Sequence, residues 1–150
     1  QAIETEIVRQ IANFLDGKPC RVFSEIEVLL PDHAAQDADD VRNLFVPDIT
    51  VICEPGKLTK QYCLGAPTVI MEILSPSTAK ADRFVKLGKY QKAGVPEYWI
   101  VSPEEQTITV FVLHGGIYET RAVYNETDKE AEVFSLPGCK LDLTGVFSQG

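Results

Sequence analysis

The sequence predicts an α/β fold, with a mixed central β-sheet flanked by helices. Three observations carry this. A stripe of isoleucines at helical spacing opens the chain. Short β-branched runs closed by Pro and Gly follow. A charged, helix-like segment then leads directly into the apolar run EYWIV. A meander of strands, then a helix crossing to another strand, gives one sheet with helices packed on it. The 150 residues are about one domain in size, 1–150, with no repeat, low-complexity tract or linker to divide them.

In QAIETEIVRQIANFLDG, Ile3, Ile7, Ile11 and Phe14 recur at helical spacing; Gly17 ends the helix and Pro19 prevents its resumption. Gln1 already sits in that pattern, so the natural chain is expected to begin earlier. RVFSEIEVLL alternates as one strand, and PDHAAQDADDVRN, which contains His33, reads as an acidic loop. VPDITVICEP is a short strand closed by Pro55 and Gly56, LTKQYCLGA a connection, and PTVIMEIL the next strand. SPSTAKADRFVKLGKYQKAG is a helix with Ser77 or Thr78 as N-cap and Gly94 and Pro96 as its stop. EYWIVSP is a strand whose Tyr98 and Trp99 are expected to supply core and sheet-edge packing. TITVFVLHGGIYETRAVYN is a hairpin turning at Gly115-Gly116 beside His114, and the tail adds an extended piece and a helical turn that close one end of the sheet.

The net charge is −8, so the overall field does not hold the chain to nucleic acid. Any such role must come from a local basic patch or a bound cation. There is no run of membrane-spanning length and no signal-peptide pattern. Cys20, Cys53, Cys63 and Cys139 form no C-x-x-C pair and stand at no metal-finger spacing from the histidines. They are expected to be reduced, partly buried thiols in a cytoplasmic protein.

Two carboxylates interrupt apolar strands: Asp48 opens DITVI and Glu72 lies inside VIMEIL. A charge there is costly unless it is paired or holds a cation. Consecutive strands are usually neighbours, so the two would sit side by side, and oxygen-only ligation suits Mg²⁺ or Mn²⁺. Asp82, Lys86 and Tyr90 follow at i, i+4 and i+8 on one side of the helix, which would bring Lys86 to this site and Tyr90 beside it. Lys80, Arg83, Lys86, Lys89 and Lys92 put five cations within 13 residues, a candidate backbone-contact surface for nucleic acid.

VPDITVI, the block GAPTVIMEILSPSTAKADRFVKLGKYQKAGVPEYWIVSP and the following GGIYE hairpin resemble the Uma-two family of restriction-endonuclease-like proteins, within the PD-(D/E)XK nuclease superfamily. The resemblance covers nearly the whole chain. It implies a restriction-endonuclease-like core and a catalytic site made from Asp48 and Glu72, to which the helix spacing adds Lys86 and Tyr90. A carboxylate from the first helix would join them, with Glu6 the best match and Glu4 less well placed. Mg²⁺ (or Mn²⁺) would be held by Asp48, Glu72 and the carbonyl of Ile73. The substrate would be nucleic acid, most readily DNA, cut by a homodimer, and the basic run of Lys80, Arg83, Lys89 and Lys92 is its candidate contact surface. The superfamily pattern has Lys two residues after the Glu; here that residue is Leu74, and Lys86 is the substitute. The competing reading is a non-catalytic binding or scaffolding module that keeps the nuclease fold. A cysteine hydrolase has no Cys–His arrangement to support it.

Overall fold

The computed structural model describes residues 2–31, 43–76 and 80–149, without the side chains of residues 80–82 and 84. The acidic loop with His33 and the candidate cap at Ser77 or Thr78 lie outside these residues. The first helix, α1 (Ala2–Leu15), buries Ile3, Ile7, Ile11 and Leu15. Each such side chain contributes about 1.5–3 kcal/mol relative to exposure. The helix stops where Gly17 takes a φ of +76°, a left-handed turn that favours glycine.

The strands follow as β1 (Arg21–Ser24), β2 (Glu27–Leu29), β3 (Leu44–Phe45), β4 (Ile49–Ile52), β5 (Tyr62–Leu64) and β6 (Val69–Ile73). Helix α2 (Lys80–Ala93) leads to β7 (Glu97–Ser102), then β8 (Thr107–His114), β9 (Ile117–Tyr124), β10 (Glu130–Glu132), β11 (Lys140–Asp142) and the short α3 (Leu143–Phe147). The main sheet has the order β1-β4-β6-β7-β8-β9; β6 and β7 are parallel, joined across α2, and the other neighbours are antiparallel. The mixed central sheet with flanking helices is therefore present. A second sheet, β3-β2-β5, and a hairpin, β10-β11, accompany it.

RVFSEIEVLL is not one strand. Glu25 adopts a φ of +50°, and its N–H donates to the Asp48 carbonyl at 3.0 Å. The chain breaks there, leaving the main sheet after β1 and entering the small one at β2. The stretch read as a connection contains β5, which pairs in parallel with β2.

Alternation along the strands divides two cores. Ile49, Val51, Val69, Met71, Trp99 and Val101 face α1, the tail hairpin and α3. Ile52, Ile70, Tyr98 and, from α2, Tyr90 form the other core with Val28 and Leu30. Trp99 and Tyr98 lie on an interior strand of the sheet, which corrects the expectation of edge packing; both are buried. Beside them Glu97 is fully buried. Its carboxylate accepts from Trp99 Nε1 at 2.6 Å, from the Phe134 N–H at 3.1 Å and from the Ser135 N–H at 2.6 Å, tying the tail to the sheet.

Cys20 and Cys53 are joined in a disulfide, while Cys63 and Cys139 are free and buried. This corrects the expectation of four reduced thiols. Antiparallel pairing of Arg21 with Ile52 brings the next residues outward face to face, a proximity that spacing in sequence does not reveal. No described helix is long and apolar enough to cross a membrane.

Candidate functional site

Asp48 and Glu72 meet because of strand register. Ile49 pairs with Met71, and one step further along the same antiparallel ladder Asp48 stands opposite Glu72. Parity with Ile70 and Ile52 turns both toward the α2 side of the sheet. The Asp48 N–H donates to Glu72 Oε1 at 3.2 Å, and Asp48 Oδ2 accepts from the Ile73 N–H at 2.6 Å. Each carboxylate is thus fixed by backbone of the opposite strand.

Lys86 reaches this pair from α2. Its Nζ donates to Glu72 Oε2 at 2.6 Å. Glu72 is only 7% exposed. Burial raises its carboxyl above the ordinary range, the hydrogen bond and charge of Lys86 oppose that rise, and Asp48 adds to it. The three residues line a pocket of about 330 Å³ with Ile73, Leu74, Arg83 and Tyr98.

A second, acidic hollow of about 540 Å³ shares Asp48, Ile73 and Leu74 with the first and adds Glu4 and Glu25. The helical carboxylate beside Asp48 is therefore Glu4. Burial, then the charges of Glu25 and Asp48, raise its carboxyl. Glu6, the stronger sequence candidate, faces elsewhere. Arg9 Nε and Nη2 donate to it at 2.8 and 2.6 Å and Gln10 Nε2 at 2.8 Å, and these donors, Arg9 first, lower its carboxyl to about 2. Glu6 is held in that pairing and lines neither hollow. Glu25 had no signal in the sequence: it reaches the hollow only because the chain breaks into the left-handed region at that residue.

Among the described residues no three His, Cys, Asp or Glu side chains are grouped to hold a metal ion. Asp48 and Glu72 nevertheless fit a hard cation. They are two adjacent carboxylates next to the Ile73 backbone, and Mg²⁺ characteristically takes one or two carboxylates and keeps several waters.

The family model described as "Uma2: Putative restriction endonuclease" matches residues 1–144. The chain belongs to the Uma2 family. A crystal structure described as a "putative nuclease belonging to DUF820" from Anabaena variabilis ATCC 29413 is similar, with 25% identity and a TM-score of 0.75 over 99% of this chain and 79% of that one. The uncharacterized protein slr1290 of Synechocystis sp. is 25% identical over 111 residues, 73% of this chain. The chain spans about half, 54%, of that relative's length.

On this Uma2 scaffold the remaining candidates separate. Tyr90 is wholly buried, its ring edge-on to Phe45 and Tyr98 at 5.2 and 5.0 Å. Its hydroxyl has no hydrogen-bond partner among the described residues. Burial and then the charge of Glu72 push the phenol far up. Tyr90 therefore belongs to the core behind the pocket and not to its wall, which corrects its assignment as a catalytic group. The basic face also divides. Arg83 lines the pocket with Lys86, whereas Lys89 and Lys92 line a separate groove with Leu30, Pro31 and Phe45, where Lys89 Nζ contacts Asn43 Oδ1 at 3.3 Å. The side chains of Lys80 and Asp82 lie outside the described residues.

Proposed function

We propose that Asp48, Glu72 and Lys86 form the catalytic centre of a metal-dependent endonuclease that hydrolyses phosphodiester bonds, with DNA as substrate. One observation carries this reading: Lys86 Nζ lies 2.6 Å from Glu72 Oε2, on a carboxylate that stands opposite Asp48 in the ladder. Membership of the chain in a family described as "Putative restriction endonuclease" supports it.

Asp48 and Glu72, with the Ile73 carbonyl, would hold Mg²⁺ or Mn²⁺. Such a cation, when bound, acidifies a water and neutralises charge on a phosphate. The protein's own residues do the rest. The Ile73 and Asp48 amides fix the two carboxylates, so little reorganisation is needed to present their oxygens. Lys86 holds positive charge at the wall of the pocket, where the ammonium orients the attacking water or stabilises negative charge developing on the phosphate. Leu74 lines the same pocket and gives it one apolar wall. Glu4 adds a third carboxyl near Asp48.

A homodimer would supply two such centres for the two strands of a duplex. A DNA substrate would place the protein in the cytoplasm; the Cys20–Cys53 disulfide is the observation that opposes this location. The second reading is a binding module without turnover that keeps the nuclease fold.

The test is cleavage of supercoiled plasmid and of single-stranded DNA at low salt, with Mg²⁺, with Mn²⁺ and with chelator. Wild type should cut only with metal, and Asp48→Asn should not cut. Metal-independent cutting, or an active Asp48→Asn protein, contradicts the assignment. A wild type that binds DNA and never cuts it supports the binding module.

A further inference from the structure

Arg83 and Lys86 stand one helical turn apart on α2 and line the same pocket, but their charges are in different situations. Lys86 is committed to Glu72. Arg83, half-buried, makes no ion pair or hydrogen bond among the described residues. The carboxylates nearby are already engaged. Glu72 takes Lys86 on one oxygen and the Asp48 N–H on the other, and Asp48 Oδ2 takes the Ile73 N–H.

Tyr98 borders this pocket from β7. Its phenol and the Arg83 guanidinium line the same cavity, beside Glu72 and Lys86. A partly desolvated guanidinium that makes no ion pair among the described residues has donors left to offer, and an arriving anion takes them. Its planar fork matches phosphate oxygens two at a time, and a phenol O–H donates to the same kind of acceptor.

We propose that Arg83 and Tyr98 form a phosphate-binding subsite beside the Asp48–Glu72–Lys86 centre, which takes a backbone phosphate flanking the one to be cut. This rests on the reading that the pocket receives nucleic acid. It divides the labour of two cations that look alike in sequence: Lys86 serves the reacting group and Arg83 anchors the strand. A contact of this kind positions the strand without reading its sequence.

Binding of a fluorescent 20-nucleotide single strand, measured by anisotropy in chelator across a salt series, tests the subsite without any turnover. Arg83→Ala and the nearly isosteric Arg83→Gln should each weaken binding by about tenfold, equally for different sequences. The slope of log affinity against log salt should fall by about 0.7. Arg83→Lys should keep the slope and lose part of the affinity. Tyr98→Phe should lose a few-fold, and Lys140→Ala, exposed on β11, should bind like wild type. Unchanged affinity and slope in both neutral Arg83 variants overturns the proposal, as does an equal loss in Lys140→Ala or a wild type that binds no strand. If wild type never cuts DNA yet the Arg83 variants lose binding, hydrolysis fails and the subsite stands. If wild type cuts and the Arg83 variants bind and cut as it does, the subsite alone fails.

Discussion

Lys86 Nζ sits 2.6 Å from Glu72 Oε2, although helix and strand are separate elements and the strand's own position for a cation holds Leu74. Glu72 and Leu74 project from the same face of the sheet, and both line the pocket. Lys86→Ala should lower metal-dependent cleavage by about 10²–10³-fold, roughly 2.7–4 kcal/mol of transition-state stabilisation. Metal binding should survive, because the ammonium is not a ligand. Adding Leu74→Lys should restore part of the rate. Steady-state cleavage rates with saturating Mg²⁺ check this; an undiminished rate in Lys86→Ala removes the lysine from the mechanism.

Glu4 gives the acidic hollow a pH signature. Burial, Glu25 and Asp48 raise its folded pKa above the unfolded value, so protonation favours the native state. That contribution is complete below the unfolded pKa of about 4.3 and is lost as pH rises through the folded pKa. Glu4→Gln, which cannot ionise, should therefore melt higher than wild type at pH 7, and the gap should close toward pH 3. Melting curves in chelator across this range decide it. A gap independent of pH, or a less stable variant at pH 7, would refute the placement of Glu4 beside two negative charges.

Asp48 and Glu72 were legible in the sequence because a charge inside an apolar strand demands a reason, and Lys86 because i, i+4, i+8 spacing names a helix face. The choice between Glu4 and Glu6 was not. They flank the buried stripe of Ile3 and Ile7 on opposite sides, and only the docking of α1 decides which one meets the strand ends. Spacing put Tyr90 with Lys86 but cannot give depth: the same face that carries Lys86 to the pocket rim carries Tyr90 into the core. The β1–β2 break at Glu25 was hidden because SEIE alternates as well as any strand, and the disulfide because it depends on a register that spacing does not specify.

Glu97 should be a structural carboxylate. It accepts from three N–H groups, two of them backbone amides of the tail. Glu97→Ala leaves those donors buried and unpaired, at a cost of at least about 2–4 kcal/mol. Hydrogen exchange should show residues 130–142 losing protection first. A variant as stable as wild type in urea would mean that the tail is held by apolar packing alone.

The Cys20–Cys53 crosslink closes a separation of 33 residues. By the chain-entropy relation a loop of that size contributes about 3–4 kcal/mol. Reductant, or paired Cys20→Ser and Cys53→Ser substitution, should shift urea unfolding by that order, and reductant should have no further effect on the double variant. Thiol titration of the unreduced, denatured protein should find only Cys63 and Cys139; four reactive thiols would exclude the crosslink.

The catalytic reading depends most directly on whether Asp48 and Glu72 share a cation. Anomalous diffraction from crystals soaked in Mn²⁺ measures this without a substrate. A Mn²⁺ peak bonded to both carboxylates is the expected result, and Asp48→Asn crystals treated in the same way should lack it. Mn²⁺ density elsewhere, with the Glu72–Lys86 ion pair unchanged and no peak between the two strands, would contradict a metal-dependent nuclease centred on these residues.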